Sequence, residues 1–122
     1  MLQNGGYRAE LGSDKDGPYI MSGSDGVTFY VNFYDCDKNT PPSCETLYFV
    51  TNSFDATPTA TPEALLKWDA DQGWVTALLD SKNKPYLRMY VSTTGGVTGA
   101  YLEEMVRIWT GKLAKFTKFL NL

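Results

Sequence analysis

A chain of 122 residues, 43% hydrophobic and 14% aromatic, is sized and composed for one folded domain with a substantial core, spanning residues 1–122. Its net charge of −3 provides no basic field for nucleic acid, and no apolar run approaches the roughly 20 residues that span a bilayer. Histidine is absent and cysteine occurs twice, which removes the usual base of Ser and Cys hydrolases, a four-thiolate zinc site and an iron–sulfur cluster.

In chain order, Leu2 and Gln3 before Asn4-Gly5-Gly6 read as the last turn of a truncated helix with its glycine cap. Residues 7–11 alternate as a short strand, "SDKDGP" at 13–18 is a turn, and 18–22 form a second strand. Asp25-Gly26 signals a hairpin. In the strand after it, Val27, Phe29, Val31 and Phe33 face one way and Thr28, Tyr30, Asn32 and Tyr34 the other. Beyond the loop that separates the cysteines, Leu47 and Phe49 share one face, with Thr46, Tyr48 and Val50 on the reverse.

Residues 54–64 form a linker that ends in Thr61 as N-cap and Pro62 at the first helical position. A short helix to about residue 71 carries Leu65 and Trp68. Strands are expected at 74–80 and 85–92, joined by "SKNK"; in the second, Leu87, Met89 and Val91 alternate with Tyr86, Arg88 and Tyr90. Gly95-Gly96 then ends the strand before a long helix over 98–120. Leu102, Met105, Val106, Trp109, Leu113, Phe116 and Leu120 recur on it at three-and-four spacing. Glu103 and Glu104 near its start and Lys112, Lys115 and Lys118 near its end suit the helix dipole. The expected fold is α+β, an antiparallel β-meander with helices packed on one face.

The succession Gly6-Tyr7, Gly17-Pro18, Gly26-Val27, "FYDC", the second cysteine, Phe54, Trp68, "GGV" and the Trp109 to Phe116 helix resembles the YbjN family. These are bacterial proteins labelled as sensory-transduction regulators, with a fold similar to type III secretion chaperones. Where the family has a Gly-Asp-Pro turn, this chain reads Gly17-Pro18; a Trp-Asn pair reads Trp68-Asp69, and an Arg-Phe pair reads Gly73-Trp74. The resemblance implies a helix before Tyr7, a non-catalytic regulatory or protein-interaction role, and no catalytic residues. Many such relatives are exported, which implies a periplasmic or secreted location, or a cytoplasmic one if Met1 is the natural start.

Seven residues separate Cys36 from Cys44, so neither a CxxC redox motif nor a metal clip fits. They close a short loop between neighbouring antiparallel strands, where cross-strand distances suit a disulfide. The competing reading is a pair of free thiols in a reducing compartment; the bridge is preferred. "DKDG" at 14–17 resembles a calcium loop but lacks its later ligands and closing Glu, so turn chemistry explains it and no metal or other cofactor is expected.

One sheet face should gather Tyr30, Tyr34, Tyr48, Tyr86, Arg88 and Tyr90, either as contact anchors for a protein or small ligand, or as ordinary cross-strand pairs on a wetted surface. Tyr101, Ile108 and Phe119 widen the apolar arc of the last helix, to be covered by the truncated first helix, by the loop at 54–62 or by a partner, a second copy included. Acidic residues are plentiful, but no spacing singles out a catalytic pair, and there is no phosphate loop or nucleophile elbow. An enzyme ranks third, after an interaction module and a small-ligand domain.

Overall fold

The computed structural model describes residues 9–14, 17–38 and 44–121. Within them, β1 (Ala9–Asp14), β2 (Gly17–Ser24), β3 (Val27–Cys36), β4 (Cys44–Thr51), β5 (Thr76–Leu79) and β6 (Pro85–Ser92) form one antiparallel sheet in the order β1-β2-β3-β4-β6-β5. Helix α1 (Pro62–Asp71) separates β4 from β5, and α2 (Gly99–Phe119) follows β6. The fold is α+β. The helix remnant expected at residues 2–6, and part of the "DKDG" turn, lie outside the described residues.

The β2–β3 hairpin follows from two residues. Asp25 and Gly26 both take positive φ, 51° and 80°, and the two-residue turn they form places Ser24 opposite Val27. Each helix begins at a threonine whose hydroxyl oxygen accepts a backbone N–H three residues on, Thr61 from Ala64 and Thr98 from Tyr101, both at 3.1 Å.

The core lies between the inner sheet face and α2. Trp109 is fully buried, with its ring centroid 5.8 Å from Phe29 and 5.6 Å from Phe49, so the helix stripe meets the alternating strands as the sequence pattern requires. Met105, Val106, Leu113, Phe116 and Leu120 are buried with it, and Leu102 is partly covered. Helix α1 adds Leu65 and Trp68, the latter against Phe116 at 5.2 Å.

Three strands differ from the sequence reading. β1 runs on to Asp14, so Ser13, Asp14, Gly17 and Pro18 of the expected 13–18 turn are paired in the sheet instead, because the β1–β2 ladder continues to the hairpin end. β2 extends to eight residues, because its pairing with both β1 and β3 holds residues that look weakly strand-forming alone. β5 shrinks to four residues, since Trp74 sits at φ 75° in the turn leaving α1. The edge of β5 is fastened to α1, with Ala77 N–H donating to Asp69 Oδ1 at 2.7 Å. It is β6 that pairs with β4: Leu87 N–H donates to Thr51 Oγ1, and Phe54 N–H to the Pro85 carbonyl.

Candidate functional site

The strand period of two sends every second residue of β2, β3, β4 and β6 to the face opposite the helices. The register places Tyr48 directly across from Tyr90 and Asn32 across from Tyr48. Tyr48 and Tyr90 stack with centroids 4.5 Å apart, Tyr34 joins at 5.9 Å from Tyr48, and the Arg88 guanidinium carbon stands 5.5 Å from the Tyr90 ring centre. The result is a ladder of three rings and a cation crossing three strands. Tyr90 is 58% exposed. Tyr86 lies two residues before Arg88, across from Leu78 of β5.

Burial among its neighbours, and next the adjacent Tyr90 phenol, push the Tyr48 hydroxyl above its ordinary range, while the Arg88 guanidinium pulls against them. Tyr48 is therefore neutral and a hydrogen-bond donor at neutral pH. The ladder offers flat apolar area, phenolic O–H groups and one positive charge, which equips it to hold another surface by stacking and hydrogen bonding. Among the described residues, no group of three or more Cys, Asp or Glu side chains converges.

Tyr30 falls outside the ladder. Its edge contact is with Tyr19 of β2, at 5.9 Å, and both line a shallow groove of about 310 Å³ with Asn32, Val50, Thr51 and Asn52. The sequence pattern does not single out Tyr19, because residues 18–22 read only weakly as a strand on their own. The alternation of Tyr19 and Met21 with Ile20 and Ser22 carried that signal. The Tyr19 ring also covers Gly12 of β1, where any side chain would collide with it.

Cys36 and Cys44 are register partners at the open end of β3–β4 and are joined by a disulfide. The same end is fastened to β6, as Thr93 Oγ1 donates to the Cys44 carbonyl at 2.6 Å and Thr93 N–H to that of Glu45. Asp35, at φ 56°, accepts from Thr46 Oγ1 at 2.8 Å. These ties hold the strand ends that carry Tyr34, Tyr48 and Tyr90.

Tyr101, Ile108 and Phe119 have different surroundings. Phe119 packs against Trp68 of α1 at 6.0 Å and Ile108 is half-buried against the core, whereas Tyr101 is 38% exposed. Trp68 thus covers the Phe119 end of the arc. Within the described residues, no helix is long and apolar enough to cross a membrane.

Residues 1–121, essentially the whole chain, match a family model whose description is "Putative bacterial sensory transduction regulator". No curated protein and no solved structure matches the chain.

Proposed function

Because this chain belongs to the YbjN family, we propose that it is a non-catalytic regulatory module that acts by protein contact, with the tyrosine ladder as its contact face. The family's description as a regulator supports the coarse role. The observation that carries the finer reading is the solvent-facing stack of Tyr34, Tyr48 and Tyr90 beside Arg88, whose ends are pinned by the disulfide. Tyrosine and arginine are the side chains that most often anchor protein contacts, since they bury large area at small entropic cost. A rigid, three-stranded platform lowers that cost further.

The groove beside Tyr19 and Tyr30 favours a second reading, a small-ligand domain on the same sheet face. The disulfide supports an oxidising compartment, the periplasm or the cell exterior. A homodimer through Tyr101 has less support, because Ile108 and Phe119 already contact their own core.

The test compares wild-type protein with Tyr48→Ala and Arg88→Ala variants as bait in a periplasmic extract, alongside a thermal-shift screen with small metabolites. A protein retained by wild type and lost from both folded variants supports the contact reading. A metabolite that raises the melting temperature through the groove, with no protein retained, transfers the function to the second reading. Turnover on a broad hydrolase panel would overturn both.

A further inference from the structure

On the helix side, away from the tyrosine face, a second groove of about 210 Å³ is lined by Trp74, Arg107, Ile108, Gly111, Lys112 and Lys115. Three of its features do not follow from the needs of the fold.

The first is Trp74. It is 64% exposed at φ 75°, a backbone region that bulky side chains rarely occupy, so the turn presents a large indole to water in a strained conformation. The other two tryptophans, Trp68 and Trp109, are buried in the core. The second is Gly111, in the middle of α2. Glycine is the poorest ordinary residue for a helix interior, and a Cβ here would meet nothing within 4 Å. Packing does not require it. What the missing side chain leaves is open space between Arg107 and Lys115, each one helical turn away.

The third is charge. Three cations line the groove of a chain whose net charge is −3. Arg107 is paired with Glu104 on its own helix, and Lys112 donates to Gln72 Oε1 at 3.1 Å, which holds its amine towards the end of α1. Lys115 stands one turn further on.

We propose that this groove is a docking site for an acidic peptide segment of a partner protein. An apolar side chain of that segment would lie on Trp74 and Ile108 over the gap at Gly111, with its carboxylates on Lys112, Lys115 and Arg107. Charge complementarity selects an anion. Length selects a peptide: positions 107 to 115 span about 12 Å of helix, more than one phosphate-sized ion can occupy. The site lies on the other layer of the fold from the tyrosine ladder and stands independently of the role assigned to that face. With both occupied, the domain would bridge two partners.

The probe is a fluorescein-labelled, end-blocked peptide of four glutamates flanking one leucine, followed by anisotropy against the intact chain at low salt. Saturable binding is expected, weakening as salt rises. Lys115→Glu and Gly111→Leu should each weaken it at least about tenfold, the first by charge reversal and the second by filling the gap. Lys82→Glu, at the β5–β6 turn and outside the groove, makes the same change in net charge and should leave binding unaltered. Circular dichroism of each variant confirms the fold. Gly111→Ala, which a helix favours, provides a second, milder filling if the leucine variant misfolds. Equal losses in Lys82→Glu and Lys115→Glu would reduce the effect to net charge and overturn the site. So would the absence of saturation, or binding to phosphatidylglycerol vesicles without binding to the peptide.

Discussion

Tyr48 and Tyr90 stack at 4.5 Å directly across the β4–β6 pair, the seam at which the β5–β6 hairpin joins the rest of the sheet. The contact joins two strands about forty residues apart in sequence, so it reports on tertiary structure and on the proposed contact face at once. A double-mutant cycle of Tyr48→Ala and Tyr90→Ala in urea unfolding should give a coupling of about 0.5–1.5 kcal/mol. Strict additivity would show that the rings are neighbours without an energetic contact.

Trp109 should be the costliest single truncation in α2. It is fully buried between Phe29 and Phe49, and Trp109→Ala leaves a cavity between helix and sheet. The expected loss is about 3–5 kcal/mol in denaturant unfolding, against under about 1 kcal/mol for a surface position. Among the described atoms its indole Nε1 has no hydrogen-bond partner. Trp109→Phe therefore breaks no bond and should cost distinctly less than the alanine change.

The bond between Cys36 and Cys44 closes a loop eight residues long by sequence separation. Chain entropy predicts about 2–3 kcal/mol of stabilisation for so short a loop. Unfolding of the oxidised protein against a Cys36→Ser, Cys44→Ser pair measures it. Intact mass with an alkylator should find two reactive thiols only after reduction, and free thiols in a never-reduced periplasmic preparation would refute the bond in its proposed setting.

Two aspartates should respond to acid with opposite signs. Burial raises Asp69 above its ordinary value of 3.8, against the opposing hydrogen bond from Ala77 N–H. The native state then binds the proton more tightly than the unfolded chain. Its stabilising share is complete below 3.8 and is lost as pH rises through the raised value. Asp80 is lowered, first by the Lys84 N–H and next by the Ser53 hydroxyl, with Lys82 N–H adding to them. Its share is present above 3.8 and disappears as pH falls through the lowered value. At neutral pH, Asp69→Asn should melt at or above the wild-type temperature and Asp80→Asn below it. Both differences should shrink as the pH falls below 4, in thermal melts across the acid range.

The sequence by itself determined the elements whose causes are local. The turn at Asp25-Gly26 follows from backbone freedom, the helix start at Thr61-Pro62 from capping, and the stripe from Leu102 to Leu120 from the helical period. The cysteine pair and the outward alternation of Tyr48 with Tyr90 were legible for the same reason, since a strand's period of two needs no knowledge of its neighbours. Only the tertiary structure decided which strand lies beside β4, because pairing is a long-range choice set here by Thr51 and Phe54 meeting β6. It also divided the tyrosines, giving Tyr30 to Tyr19 and Tyr48 to Tyr90. Trp74 shows the limit most clearly. Its residue type favours a strand, but Asp69 fastens the chain at Ala77 and leaves the turn before it to absorb the change of direction, so the indole faces solvent beside the lysines of α2.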